Sequence, residues 1–161
     1  MRRIFKFINK LFFSKGEEGS LTIVGVGPGD PSHLTIQASN ALKNSKVIFY
    51  PISGEDKISY SMKIVKKYIK NKKKIPLIFP MARKEYDTTE IWKNSAQEIA
   101  SYINKKMAVS LLCLGDTSIY ASSFYLKDEI KKNYPDIKII TLPGISSLSL
   151  AAALGDFQLI K

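Results

Sequence analysis

Short apolar runs that alternate with helix-patterned segments constrain this chain more than any other feature of its sequence. The run at 107–114 (MAVSLLCL) is continuously apolar, as a strand buried on both faces should be. Shorter β-rich runs and segments of helical periodicity come before and after it. The strands are predicted at 21–26, 47–50, 75–79, 107–114 and 137–142, and the helices at 34–44, 59–70, 88–105, 120–132 and 145–154. This order predicts an α/β domain with a mainly parallel sheet flanked by helices.

Composition limits the kinds of site that the domain can hold. With 161 residues, of which 45% are hydrophobic, the chain can form the core of one domain. A single cysteine and a single histidine exclude an internal disulfide and a metal site built from cysteine or histidine clusters. We therefore expect no metal. No apolar run approaches the roughly 20 residues that a membrane-spanning helix needs.

The charge balance is strongly basic, with 25 Lys and Arg against 14 Asp and Glu, a net charge of +11. Lysines crowd residues 63–74, where apolar residues are interleaved at near-helical spacing. Three interpretations compete: phosphate neutralisation on a nucleic acid, steering of a polyanionic small substrate, and a solvated helix face. No nucleic-acid-binding motif accompanies the charge, so the sequence favours the solvated face and we expect no nucleic-acid partner.

The first 15 residues, MRRIFKFINKLFFSK, differ in character from the rest of the chain. Their apolar residues recur at helical spacing, and every charged residue among them is basic. Such a segment can lie on an anionic membrane surface, serve as a targeting leader, pack on the domain as an extra helix, or fray. Because a linker-like stretch follows, we divide the chain into a leader and linker at 1–20 and a domain at 21–161.

Three glycine-containing loops follow predicted strands: GVGPGDP at 25–31, LGDTSIY at 114–120 and PGISS at 143–147. Ligands of open α/β sheets bind outside the carboxyl ends of the strands, and glycine lets the backbone approach them closely. The first loop is not a dinucleotide fingerprint, because Asp30 stands where the third glycine belongs. An acidic glycine loop suits a cationic, hydroxyl-rich ligand such as S-adenosylmethionine. The alternative is a tight turn with Asp30 as a helix cap.

The order and separation of these three loops resemble the tetrapyrrole methylase family over residues 21–161. The resemblance implies the N-terminal α/β domain of that fold, with S-adenosylmethionine as cofactor. It also implies cytoplasmic C-methylation of a tetrapyrrole, precorrin-2 at C20 or its cobalt form, in cobalamin synthesis. Asp30 would lie near the reacting carbon. The positions that match cofactor contacts in the family are Pro28, Gly115, Asp116, Ile119, Ser146 and Ser147.

Family members carry a second α/β domain after the third loop, and we expect it to be missing here. A second copy of the chain or a separate chain would then complete the cleft. A basic rim formed by Arg83, Lys84 and the lysines near Lys72 could steer the polycarboxylate substrate. Three alternatives stay open: an inactive remnant, a sirohaem or precorrin-4 type methylase, and a basic module that binds nucleic acid or a membrane surface.

Overall fold

The computed structural model describes residues 18–54, 58–79 and 88–160. The predicted leader at 1–15 lies outside these ranges, and so do Arg83 and Lys84 of the predicted basic rim. Among the described residues, none of the helices is both long and apolar enough to cross a bilayer.

The described residues form one five-stranded sheet with the strand order β3-β2-β4-β1-β5, and every pairing in it is parallel. The strands are β1 (Ser20–Gly25), β2 (Val47–Ile52), β3 (Lys73–Ile78), β4 (Val109–Cys113) and β5 (Lys138–Leu142). The predicted α/β class with a parallel sheet is confirmed. Because β4, β1 and β5 are neighbours, the three glycine-containing loops leave adjacent strands at one edge of the sheet.

Helices cover both faces of the sheet. They are α1 (Ile36–Asn44), α2 (Tyr60–Val65), α3 (Thr89–Ile103), α4 (Ser123–Asn133) and α5 (Ser147–Leu154), with short 3-10 turns at Pro31–His33 and Lys66–Tyr68. Side chains alternate along each strand, so β1 contributes Ile23 to the core beneath α3 and α4 and Val24 to the core beneath α1 and α2. The apolar sequence of the central strands follows from this burial on both faces.

Several element bounds differ from the sequence prediction, and two of the differences have a clear physical description. β2 does not stop before Pro51 but continues to Ile52, with Pro51 opposite Leu77 of β3. Its pairing with β4 ends at Phe49, so beyond that point β2 has a ladder partner on one side only, where proline is tolerated. The helix predicted at 59–70 ends at Val65 and continues as the 3-10 turn.

Candidate functional site

The first and second loops are joined through their backbones. Gly27 N donates to Gly115 O (3.2 Å), and Gly115 N donates to Gly27 O (2.8 Å), which makes an isolated antiparallel bridge beyond the ends of two parallel strands. Both glycines have left-handed backbone conformations, with φ of 81° and 73°. Side-chain-bearing residues rarely adopt this conformation, so the glycines are what allow the two loops to turn back on each other.

Asp116 fastens the second loop to the third. Its Oδ2 accepts a hydrogen bond from Gly144 N at 2.9 Å, and its Oδ1 accepts from Ser118 N at 2.8 Å and from the Ser118 hydroxyl. Thr117 adds a second link, because its hydroxyl donates to the carbonyl oxygen of Leu142 at 3.2 Å. Both carboxylate oxygens of Asp116 are therefore engaged by the protein itself.

These hydrogen bonds control the ionisation of Asp116. Burial alone would raise the pKa of this carboxyl group, but the bonds from Ser118, Gly144 and Thr117 outweigh it and hold the pKa below its usual value. Asp116 is thus an ionised, buried group at neutral pH. Its negative charge lies where the first, second and third loops meet.

Glycine also permits the close approach of the third loop. A Cβ on Gly25 would lie 2.5 Å from Gly144 N, and a Cβ on Gly144 would overlap the carbonyl oxygen of Gly115. Gly115 itself is different, because a Cβ there would meet nothing within 4 Å. The backbone of the second loop is therefore open to a ligand at Gly115.

The two serines of the third loop have unequal roles. Ser146 caps α5: its hydroxyl oxygen accepts from Ser149 N at 3.0 Å and lies 2.8 Å from the Ser149 hydroxyl oxygen. Ser147, the first residue of α5, is exposed. The predicted ligand contact through the Ser146 side chain therefore competes with a helix cap, whereas Ser147 has an accessible hydroxyl.

Asp30 also caps a local element. Its Oδ1 accepts from Ser32 N at 2.7 Å, at the start of the 3-10 turn. That bond lowers the pKa of the exposed Asp30 carboxyl, so the group is ionised and suited to an electrostatic role rather than to proton donation. The cap interpretation of Asp30 is what the structure shows. Pro28, two residues earlier, is half-buried on the same loop.

Apolar side chains surround the three loops and are exposed. Ile119, the predicted apolar contact, is 40% exposed. Leu114 and Ile145 in the loops and Leu148 at the start of α5 are exposed as well. Tyr120 is fully exposed and has a positive φ of 48°, which is unfavourable for a residue with a side chain. An exposed apolar rim around ionised and backbone polar groups is typical of a ligand or domain contact.

A cavity of about 750 Å³ adjoins the second loop at the carboxyl ends of β2, β3 and β4. Its wall includes an aromatic cluster in which Trp92 lies between Phe79 (4.9 Å between ring centroids) and Tyr125 (5.9 Å). Sequence reasoning missed these three residues as lining, because they belong to separate elements and share no motif. Cys113 also faces the cavity, but burial raises the pKa of its thiol, which makes it a poor nucleophile.

The structure brings Pro28, Asp30, Gly115, Asp116, Ile119, Ser146 and Ser147 to one edge of the sheet, as the sequence predicts. It does not bring the lysines near Lys72 there. Lys72 precedes β3 and lies at the opposite, amino edge, so the predicted basic rim cannot include it. In the described part of the chain, no group of three or more His, Cys, Asp or Glu side chains is placed to hold a metal ion.

Comparison with known proteins gives a consistent result. The sequence model of the Tetrapyrrole (Corrin/Porphyrin) Methylases matches residues 20–160. A protein of Methanocaldococcus jannaschii named "Probable cobalt-precorrin-2 C(20)-methyltransferase" is 30% identical over 138 residues, which are 86% of this chain and 58% of that protein. The precorrin-2 C(20)-methyltransferase of Sinorhizobium sp is 27% identical over 152 residues, covering 89% of this chain and 60% of the relative.

Among solved structures, the chain resembles the cobalt precorrin-4 methyltransferase CbiF, with a TM-score of 0.65 and 20% identity. The similarity covers 88% of this chain and 52% of CbiF, and at this identity it shows a shared fold. The chain thus spans about 58–60% of the length of the two curated relatives that it matches.

Proposed function

Because the chain belongs to the tetrapyrrole (corrin/porphyrin) methylase family, we propose that it serves in the S-adenosylmethionine-dependent C-methylation of a tetrapyrrole during cobalamin synthesis. The names of the two curated relatives favour precorrin-2, or its cobalt form, as substrate and C20 as the methylated carbon. The observation that carries the proposal is the joining of three loops at the carboxyl edge by the Gly27–Gly115 bridge and the Asp116–Gly144 hydrogen bond.

The residues at this edge suit S-adenosylmethionine chemically. The ligand carries a sulfonium, an ammonium and ribose hydroxyls, so it needs negative charge, backbone acceptors and apolar contact. Asp30 and Asp116 supply negative charge, and the open backbone at Gly115 lets a ligand approach without meeting a side chain. Ile119 offers an exposed apolar contact. An acidic loop would repel a pyrophosphate, but it does not repel a cationic ligand.

The role of the chain in the reaction is chiefly alignment. When bound, S-adenosylmethionine supplies an activated methyl group, which a nucleophilic ring carbon takes while the sulfur keeps the bonding electron pair. The three joined loops would fix the methyl donor against the ring carbon, and positioning of this kind can contribute several kcal/mol to a barrier. Asp116 acts here as a positioning residue, because its carboxylate holds Gly144 and Ser118 in place.

Apolar surface next to the third loop requires a cover. Leu148, Leu154 and Phe157 are each about half exposed or more, on α5 and directly after it. We propose that a second α/β domain covers this surface and completes the cleft, supplied by further length of the same polypeptide, by a separate chain or by a second copy. The relatives support this, since each is longer than the part that matches here.

Binding of methyl-labelled S-adenosylmethionine to Gly115→Ala and Gly19→Ala variants tests the site. Both glycines have φ near +70° (73° and 70°), and a Cβ at either meets nothing closer than 3.8 Å, so both variants carry the same backbone penalty. Only Gly115 faces the proposed site. We expect Gly115→Ala to weaken binding about tenfold or more, a loss of about 1.4 kcal/mol, while Gly19→Ala binds as the unaltered protein does.

Methyl transfer is then measured with precorrin-2 and with its cobalt form, using the same labelled donor. Label in the tetrapyrrole fraction, reduced by Gly115→Ala and not by Gly19→Ala, is the expected result. Equal binding losses in the two variants would show that the second loop does not form the cofactor site. Binding without transfer to either tetrapyrrole would refute the proposed substrate but not the cofactor.

A further inference from the structure

The cavity beside the second loop has an uncharged lining. Its volume of about 750 Å³ lies within the range of about 300–1,000 Å³ that small-molecule sites usually have. Of the described residues that line it, none is a lysine, arginine, histidine, aspartate or glutamate. They are apolar, aromatic or hydroxyl-bearing residues of β2, α2, α3, β4, α4 and the loops between them. Such a lining favours the uncharged part of a ligand, because a charged group buried there would have no ion partner among these residues.

One wall of this cavity is aromatic. We define the aromatic wall as Phe79, Trp92 and Tyr125. The Trp92 and Tyr125 rings are stacked, with an angle of 26° between their planes, whereas Phe79 meets Trp92 edge-on at 72°. Trp92 Nε1 donates to Thr88 Oγ1 at 3.2 Å, so the single donor of the indole is already used within the protein. What Trp92 offers to a ligand is therefore its apolar ring surface.

Much of the surface of Tyr125 is left uncovered. The residue is 66% exposed even though its ring stacks on Trp92. Its neighbour Phe124 is also exposed, at 43%, but it is not among the residues that line the cavity. Burial of an aromatic ring is favourable because the ring carries a large apolar area. A flat ligand in the cavity would bury the part of the Tyr125 ring that the described residues leave in water.

The cavity adjoins the three loops but excludes their charged residues. Leu114 and Tyr120 at the two ends of the second loop line it, whereas Asp30 and Asp116 do not. A methyl group passes directly from donor to acceptor, so the two molecules must bind side by side. The loops carry the negative charge that suits a cationic donor. The adjoining uncharged cavity is then the place for the acceptor.

We propose that Trp92 and Tyr125 of the aromatic wall determine which methyl acceptors bind, by packing against the face of a flat, conjugated ring system. This inference rests on the proposed function, because it places the acceptor beside the proposed methyl donor. Contact between the wall and the ring face removes apolar surface of both partners from water. Phe79 supports Trp92 from its edge. Charged substituents of the acceptor stay toward solvent, since the described lining has no ion partner for them.

The adenine ring of S-adenosylmethionine is also flat, but the cavity suits it less well than it suits the acceptor. The volume of the cavity is far larger than a single adenine ring fills. The donor is also a cation, and the ionised carboxylates of Asp30 and Asp116 lie outside the lining. The two ligands therefore differ in their expected contact with the aromatic wall, and this difference can be measured.

Titration of the full chain with uroporphyrin tests the proposal without a methyl donor. This stable, flat tetrapyrrole polycarboxylate absorbs visible light, and its absorption changes when side chains pack on its ring. High salt screens its attraction to surface lysines. We expect Tyr125→Ala to weaken binding about tenfold or more, a loss of about 1.4 kcal/mol. Tyr125→Phe keeps the ring and should bind as the unaltered protein does.

Phe124→Ala is the matched control for Tyr125→Ala. It removes an exposed aromatic ring from the same turn of α4, but from a residue that does not line the cavity. Its affinity for uroporphyrin should stay within about twofold of that of the unaltered protein. Thermal transitions confirm that each variant is folded.

The fluorescence of Trp92 distinguishes the acceptor from the donor. Trp92 is the single tryptophan of the chain, so quenching of tryptophan fluorescence by acrylamide reports on access to the aromatic wall. S-adenosylmethionine, at the concentrations used to measure binding of the labelled donor, should leave this quenching unchanged.

Three results would overturn the proposal. The first is that uroporphyrin does not bind. The second is that Tyr125→Ala binds it as tightly as the unaltered protein, or that Phe124→Ala loses as much affinity. The third is that S-adenosylmethionine protects Trp92 from acrylamide, which would make the wall part of the donor site. The proposed function survives each result if labelled methyl still reaches a tetrapyrrole. Failure of the proposed function is separately visible as missing donor binding or transfer, while uroporphyrin binding that depends on Tyr125 stays measurable.

Discussion

Replacing Asp116 with Asn should detach the second loop from the third while preserving the size of the side chain. The carboxylate accepts from Ser118 and from Gly144 N at 2.9 Å, and an amide can direct only one oxygen at these donors. If the oxygen stays with Ser118, the amide nitrogen faces the Gly144 N–H. One charge-assisted bond is then lost, worth about 1.5–3 kcal/mol, so we expect the free energy of unfolding to fall by about 2 kcal/mol.

Denaturant titration measures this loss as a lower midpoint at unchanged slope. Asp30→Asn is the matched control, because the hydrogen bonds that Asp30 accepts come from Ser32, so one amide oxygen can keep them, and Asn caps as well as Asp. It should change stability by less than about 0.5 kcal/mol. Equal losses in the two variants would refute the fastening role of Asp116.

The same pair of proteins gives a pH test. The pKa of Asp116 is lowered in the folded state, so its charge stabilises the fold above the unfolded pKa of about 3.9 and this contribution is lost as pH falls through the folded pKa. The stability difference between the unaltered protein and Asp116→Asn should therefore be constant above about pH 5 and shrink on acidification below about pH 4. A difference that grows on acidification would contradict the assigned hydrogen bonds.

Three further variants or modifications test the geometry. Gly144→Ala should destabilise the domain by more than about 3 kcal/mol in denaturant titration, because its Cβ would overlap the Gly115 carbonyl oxygen, whereas Gly29→Ala, with open space around it, should change stability little. Cys113, the single cysteine, should react slowly with iodoacetamide at pH 8 in the folded protein and at the rate of a free thiol in denaturant, since burial raises its pKa. Leu126→Ala should cost about 2–5 kcal/mol of unfolding free energy, since this side chain of α4 is fully buried in the core against the sheet.

The sequence predicts the fold well where burial leaves a pattern and poorly where it does not. The central strands are buried on both faces and therefore read as apolar runs. β3 lies at the sheet edge, and its first two residues, Lys73 and Lys74, are exposed. Their charge gives no strand signal, so the predicted strand begins two residues late. Likewise, nothing in the sequence shows that the pairing of β2 with β4 ends at Phe49. Pro51 can lie in β2 because the pairing with β4 has ended before it.

For the site, the sequence predicts at which edge of the sheet the residues lie, but not which hydrogen bonds their side chains make. Asp116, Ser146 and Asp30 were expected to face a ligand, and the structure shows each also holding a neighbouring backbone N–H. The partner of Asp116 is Gly144, 28 residues away in sequence, so no local pattern can reveal the bond. The aromatic wall formed by Phe79, Trp92 and Tyr125 could not be predicted for the same reason, because its three residues are distant in sequence.

The parallel α/β architecture separates the three loops from the lysines that lie at the opposite edge of the sheet. Every strand ends at the edge that carries the loops, and every helix that returns to the sheet ends at the other. Lysines near helix carboxyl ends, such as Lys43 in the last turn of α1, are favoured there by the helix dipole even without a partner. Helix stability alone therefore favours lysines at this edge. Because such a lysine acts through its own helix, local electrostatics is enough to explain its position at the carboxyl end.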